Sequence, residues 1–434
     1  MRLQDRQRTS LFANRNFSLL FAGSSVSAVG DQFTLVALPW LVLKLTGNPA
    51  ALGVVLAVMA LPRAVFMLLG GAVVDRFSPR RVLLAARAAN AACIVALAVL
   101  VLMGAIHMSL VYLLALGIGL STAFAYPAGS AILPQLVGAR QLHAANALFM
   151  GMRQLSLIIG PVFAGFVIAL GAQHVTGAVV TDARGMGAAF SIDAFSFMVS
   201  LASLLLIRVP DEAHTRDTRG GVFASIRAGV QAVWADPPLR AFVLYVAAVS
   251  VLVMGPIQVG LPVLADTRLG LGAAALGILM TANGAGMFAG SVCSGIVTRW
   301  VRGRLGIMVL GFDALSGLAL AALMLVHRTW SGAALLVCVG LLGGIVQIAI
   351  FTWIQQRVPQ QLMGRAMSIL LFTFLGLGPL SAAFAGLLLK WVPLSVLFAV
   401  AGLTLTVIAL GCLASRDLRA IRALATLPPT TLGA

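Results

Sequence analysis

Gly70-Gly71-Ala72-Val73-Val74-Asp75-Arg76-Phe77-Ser78-Pro79-Arg80-Arg81 closes one apolar run and opens the next. Both runs are long enough to cross a bilayer, which takes about 20 apolar residues. A join this short between two such helices makes a hairpin, with its charges at the membrane surface. Arg76, Arg80 and Arg81 alone would read as a marker of an inside loop. Topology needs no acid there, however, and Asp75 is suited to the positive end of a neighbouring helix. Gly71 carries no side chain, so helices can approach closely at its level.

The composition around this hairpin is that of a membrane protein. Of 434 residues, 61% are hydrophobic and only 9% charged, whereas soluble domains carry about 25% charged residues. Mean hydropathy is +1.05. Net charge is +17, which in a soluble chain would suggest nucleic acid. Here the basic residues lie between apolar runs, so loop asymmetry explains them and no nucleic-acid partner is expected. Cys93, Cys293, Cys338 and Cys412 all fall inside apolar runs. They have no metal-ligand spacing, so neither a metal site nor a disulfide framework is expected. MRLQDRQRTSLFANRN lacks a small-residue cleavage site after a short apolar core, so no removable signal peptide is read.

Twelve spans are expected, at about 17–43, 50–74, 82–104, 108–132, 144–169, 187–207, 241–265, 271–297, 305–326, 331–356, 364–390 and 393–414. The organisation is then a six-helix half over 1–207, a central loop over 208–240, a second six-helix half over 241–415 and a tail over 416–434. Within the loop, Val222, Phe223, Ile226, Val230 and Val233 recur at helical spacing, as in a helix lying on a membrane surface. With the N-terminus inside, 21 of the 29 Lys and Arg residues fall in inner segments. Only Lys44, Arg184, Arg268, Arg328 and Lys390 fall outside. That bias places both termini in the cytoplasm. The halves also echo one another. Gly160-Pro161 and Gly165 in the fifth span match Gly378-Pro379 and Gly386 in the eleventh. The hairpin has a basic counterpart at Arg299, Arg302 and Arg304, with Thr298 near the place of the acid.

The pattern G-x-x-x-D-R-x-x-x-R-R over Gly71–Arg81 resembles the signature loop between the second and third spans of the major facilitator superfamily. Twelve spans in two parallel repeats resemble the same family. Asn16-Phe17-Ser18-Leu19-Leu20, Val29-Gly30-Asp31-Gln32, Ala37-Leu38-Pro39-Trp40, Leu133-Pro134-Gln135-Leu136, Ala145-Asn146-Ala147 and Ile192-Asp193-Ala194-Phe195-Ser196-Phe197 resemble bacterial exporters related to enterobactin and macrolide efflux proteins. The resemblance implies an all-α polytopic membrane fold in a bacterial inner membrane, with a substrate cavity between the halves lined by the first, fourth, seventh and tenth spans. It also implies a gating contact between the hairpin and the start of the eleventh span, near Gly364 and Arg365. Proton antiporters of the family carry an Arg in the fourth span, whereas LLALGIGLSTAFA over Leu113–Ala125 has none. Their Gly-rich fifth-span motif survives in degraded form as Ser156, Gly160, Pro161, Ala164 and Gly165.

Charges inside spans are costly, about 2.5–3.5 kcal/mol for a central Asp, and usually face a bundle interior or water. Asp31 lies near the middle of the first span, one of the cavity-lining set. It is a candidate for protonation or cation binding; the other reading is a structural Asp bonded to Ser25, Ser27 or Thr34. Arg63 in the second span is a candidate partner for Asp31, and pairing would hold the carboxylate in its charged form. Asp193 in the sixth span is a second candidate for proton coupling, or a polar group packed within its own half. Asp313 in the ninth has the same two readings. Arg153 in the fifth span either snorkels toward the surface or meets an anionic group of the cargo. Cavity candidates are Tyr126, Arg153, Tyr245, Gln258, Gln347, Thr352 and Trp353; aromatic residues and a few polar groups on otherwise apolar spans suit an amphipathic ligand. The Gly-Pro pairs at 160–161, 255–256 and 378–379 are expected helix breaks.

The expected activity is secondary active transport of a small hydrophobic or amphipathic compound by alternating access. Proton-coupled efflux of a multidrug, macrolide or siderophore-like cargo leads. A lysophospholipid flippase, a metabolite importer and a channel-like facilitator are the rivals. No Gly-rich Lys motif for nucleotide and no nucleophile–base arrangement is present, so neither a cofactor nor enzyme chemistry is expected. The expected partners are a small-molecule substrate, protons and the lipid bilayer, with the protein acting as a monomer.

Overall fold

The computed structural model describes residues 11–171, 182–207, 234, 236–301, 304–357, 373 and 376–415. These residues contain helices and no strand. In chain order the helices are α1 (Arg15–Thr46), α2 (Pro49–Arg76), α3 (Pro79–Leu102), α4 (Met108–Leu136), α5 (Ala139–Leu170), α6 (Ala183–Leu206), α7 (Pro237–Gly255), α8 (Leu261–Arg268), α9 (Ala273–Trp300), α10 (Leu305–Ala322), α11 (Thr329–Arg357), α12 (Gly376–Leu388) and α13 (Leu394–Cys412). A π-helical turn, Pro256–Gly260, joins α7 to α8 into one span. Ten of the spans are long and apolar enough to cross a membrane, and α2 and α12 each contribute a shorter apolar segment. Together they make the expected twelve. Of the expected central loop over 208–240, residues 208–233 and 235 lie outside the described residues, and with them the expected surface helix up to Val233; so does the tail from 416.

Local sequence sets the helix starts. Asn14 caps α1, its side-chain oxygen accepting from the N–H groups of Asn16 and Phe17 at 3.0 and 3.3 Å. Asn48 caps α2 in the same way, followed by Pro49 at the first helical position. Asp236 caps α7 ahead of Pro237. Pro79 opens α3 directly after the hairpin.

The chain divides into two compact units, residues 1–218 with 270–281, and residues 219–269 with 282–434. In the first, α1 packs along α6 and α5, α3 along α6 and α4, and α2 along α4. Small residues make these seams, as membrane packing favours. A methyl group at Gly30 would collide with the side chains of Ser196 and Asp193, and one at Gly119 with the backbone of Met59. Phe17, Leu83, Ile132 and Leu204 form part of its core. In the second unit α10 packs on α13 and α11, around Phe242, Tyr245, Met308, Ile345 and Trp353.

The two units tie their first helix to their fourth at equivalent places with different chemistry. Asn14, the cap of α1, donates to the Leu136 carbonyl at the end of α4 at 2.6 Å. Asp236, the cap of α7, takes two N–H bonds from Arg357 at the end of α11, at 2.8 and 3.0 Å. The Arg357 guanidinium also lies over the Trp353 ring, 5.5 Å from its centre.

Of the Gly-Pro pairs, only Gly255-Pro256 interrupts α-helical winding, giving the π turn. The break expected at Gly160-Pro161 and Gly165 is not there: α5 runs unbroken from Ala139 to Leu170. These glycines serve packing instead. Gly160 receives the Gln32 side chain of α1, and Gly165 lies against the backbone of Ala273 and Gly277. Gly378 and Pro379 are buried within the first turn of α12, again without a break in the helix.

Candidate functional site

Charged side chains in the first unit converge from four helices. Asp31 of α1, Arg63 of α2, Arg87 of α3 and Arg153 of α5 all lie well inside their helices. Asp31 and Arg153 are exposed, and Arg63 and Arg87 are half-buried. The cations whose charge acts on Asp31 are those of Arg87 and Arg153. Arg63 faces the like charge of Arg153, and the Tyr126 hydroxyl. The expected Asp31–Arg63 pair is therefore replaced by Arg87 and Arg153.

Arg87 is held in place by hydroxyls from two neighbours, donating to Ser24 of α1 at 3.3 Å and to Ser200 of α6. Asp193 of α6, with 0% of its surface exposed, accepts from the hydroxyls of Thr34 and Ser196. Its charge also faces Asp31. Thr34 thus serves Asp193 rather than Asp31, and Ser25 turns back to the Phe21 carbonyl at 2.7 Å. Asp31 itself has no hydrogen-bond partner among the described residues. The unit therefore holds one satisfied acid, one fixed cation, one open acid and two open cations at mid-helix.

The second unit is different. Pro237–Arg268 spans as many residues as α1, and matching the two residue for residue puts Val253 opposite Asp31. Its described interior acid is Asp313 of α10, which accepts from the buried Tyr245 hydroxyl at 2.8 Å.

The sequence pattern of the Major Facilitator Superfamily matches residues 20–383. The chain belongs to the major facilitator superfamily. It is 27% identical over 382 residues to the multidrug efflux pump Tap of Mycolicibacterium fortuitum, covering 85% of this chain and 87% of that protein. It is 26% identical over 350 residues to the enterobactin exporter EntS of Salmonella typhimurium, covering 80% of each. The nucleoside transporter NupG shares the fold at a TM-score of 0.68, with 13% identity over 92% of this chain and 98% of that one. A major facilitator protein is a transporter and not an enzyme.

On this major facilitator framework the expected cavity residues separate. Tyr126 is 52% exposed and lies on α4 near Arg63. Gln258 is exposed on the π turn, and Gln347 is half-buried on α11. Tyr245 and Trp353, read from sequence as cavity-facing, are core residues at 4% and 3% exposure. The Tyr245 hydroxyl is taken by Asp313, and the Trp353 ring packs edge-on against Phe242 at 5.0 Å. In the signature hairpin, Gly71, Asp75 and Arg76 fall in the last turns of α2, and their side chains lie outside the described set. Arg80 donates to the Leu205 carbonyl at the end of α6 at 3.0 Å, and Arg81 is exposed.

Sequence reasoning passed over Arg87, Ser24 and Ser200. A signal for them exists: Asp193, Ser196, Ser200 and Ser203 recur on one face of α6 at helical spacing. A polar stripe on an otherwise apolar helix marks the side that meets partners rather than lipid.

Proposed function

We propose that this transporter exports a small amphipathic compound across the inner membrane, with both termini cytoplasmic, in exchange for protons that bind at Asp31. The observation that carries this reading is Asp31 itself: an accessible carboxylate, midway along α1, with charged neighbours but no bonded partner among the described residues. A carboxylate so placed is open to a proton or to a cationic group of the cargo, and it cannot hold both. That exclusivity is what exchange requires. Arg87, fixed by Ser24 and Ser200, holds a positive charge beside it without occupying it. Similarity to proteins named as efflux pumps and exporters supports the outward direction. The two six-helix repeats support alternating access. Asp75, Arg76, Arg80 and Arg81 are proposed to stabilise the cytoplasm-closed state.

The test uses the full chain in liposomes with the cytoplasmic face outward and an acidic lumen. The wild type accumulates a transported dansyl amphipath only while the gradient lasts. Asp31→Asn abolishes the response to the gradient, leaving at most downhill movement. Undiminished gradient-driven uptake by the variant refutes the role of Asp31, and export of the probe from the lumen instead refutes the direction.

A further inference from the structure

The open charges beside Asp31 carry more than a proton site. The charge of Arg153 acts on Arg63, like on like. Neither donates a hydrogen bond to any described residue. Two neighbouring guanidinium groups with too few anions between them are unfavourable at mid-depth in a membrane, because desolvation and mutual repulsion add. The carboxylates that could offset them are few. Asp31 and Asp193 are the acids near mid-helix in the first unit's spans, Asp75 lying in the last turn of α2, and Asp193 is buried and already bonded to Thr34 and Ser196. Asp31 is one charge against three Arg, and both Arg87 and Arg153 already act on it, which leaves Arg63 without an acid. The cluster is thus short of an anion on its α2–α5 side and open to a cation on its α1 side.

The packing brings the helices that carry these groups together in pairs. Gly160 of α5 receives Gln32, the residue after Asp31, so α1 and α5 touch at this level. Gly119 of α4 receives the backbone of Met59, one turn before Arg63, so α2 and α4 touch beside it. Tyr126, half-exposed two turns after Gly119, adds a ring face and a hydroxyl near Arg63.

From this cluster we infer a dipolar subsite that takes the zwitterionic head of an amphipathic cargo, its ammonium on Asp31 and its carboxylate or phosphate on Arg63 and Arg153. The inference rests on the cargo-site reading above and gives it a substrate class. It also fits exchange. The cargo's ammonium and a proton compete for one carboxylate, while its anion takes the positive charge that a single Asp31 leaves uncompensated. A purely anionic cargo would bind best when Asp31 carries a proton, which is the reverse of exchange.

The test is equilibrium binding to the full chain in phosphatidylglycerol nanodiscs, read by dansyl fluorescence. Three probes share ring and chain: Nε-dansyl-lysine carries both charges, dansylcadaverine the ammonium alone, and 6-(dansylamino)hexanoate the carboxylate alone. The wild type is expected to bind Nε-dansyl-lysine at least tenfold more tightly than either single-charge probe. Arg63→Gln and Arg153→Gln each weaken the two carboxylate probes about tenfold and leave dansylcadaverine unchanged. Asp31→Asn does the opposite, sparing only the hexanoate. Arg63→Lys and Arg153→Lys recover most of the loss, which separates charge from misfolding. Equal binding of the three probes, no binding of Nε-dansyl-lysine, or weakening of dansylcadaverine by the Arg variants overturns the inference. Repeating the titration with phosphatidylethanolamine in the disc assigns the source of the head group. Competition points to a bilayer lipid and its absence to a free amphipath, and either supports the subsite. If charge selection holds but gradient-driven uptake ignores Asp31, the proton reading fails and the subsite stands. If uptake needs Asp31 but the probes are not distinguished, the reverse is true.

Discussion

Asp236 joins a helix cap to an ion pair, and the two roles separate by mutation. Its carboxylate accepts from the Leu239 N–H at 3.4 Å, which starts α7, and takes both N–H bonds of Arg357. The pair is about a third exposed, at 38% and 30% for the two side chains. Exposed pairs contribute roughly 0.2–1 kcal/mol, and the two-point geometry favours the upper end. A cap contributes about 1 kcal/mol. Asp236→Asn keeps the cap and should therefore cost no more than about 1 kcal/mol, whereas Asp236→Ala should cost about 1.5–2 kcal/mol. A double-mutant cycle with Arg357→Gln, followed by tryptophan fluorescence during unfolding in mixed micelles, isolates the pair. The N–H bonds from Arg357 hold the Asp236 carboxyl below its ordinary value of 3.8. A carboxyl lowered by folding adds stability in full above that ordinary value and loses it as pH falls through the lowered one. The coupling should thus be flat from pH 7 to 5 and fade below about 4. High salt should shrink it as well. A coupling of zero at pH 7, or one unchanged at pH 3, would show that Asp236 is only a cap.

Two further outcomes follow from packing. Gly277→Val forces a side chain onto the Pro161 carbonyl, where backbone meets backbone; expression and thermal stability should both fall sharply, and a wild-type melting profile would contradict the packing. Tyr245→Phe leaves Asp313 buried without its hydroxyl partner, so unfolding should cost about 1–3 kcal/mol less, and a loss below about 0.5 kcal/mol would mean that Asp313 finds another donor.

The spans were legible because bilayer thickness imposes one length on them. The second, expected at 50–74, is Pro49–Arg76. The fifth, expected from 144, starts at Ala139, because its first turn carries Arg140, Gln141 and His143, which hydropathy excludes and helical hydrogen bonding does not. The depth of Asp31 was legible by counting along its helix. Its surroundings were not. Whether Arg63 or Arg87 reaches it depends on the rotation and register of helices dozens of residues apart, and those are set by contacts such as Gly30 on Ser196. Tyr245 and Trp353 were misread for a related reason: an aromatic on a span looks the same from sequence whether it faces a cavity or a neighbouring helix.

The π turn at Pro256–Gly260 changes how its span must be probed. An α-helix advances about 100° per residue, and the wider i to i+5 winding advances less. Five such residues add up to roughly a quarter turn of lag. Residues of α8 thus point away from the directions that a wheel drawn on α7 assigns to them. A cysteine-accessibility scan along Pro237–Arg268 should show one periodic pattern up to Gly255 and the same pattern phase-shifted from Leu261 onward. Gln258 sits in the slip between the two, where a wheel drawn from either end assigns it to the wrong face.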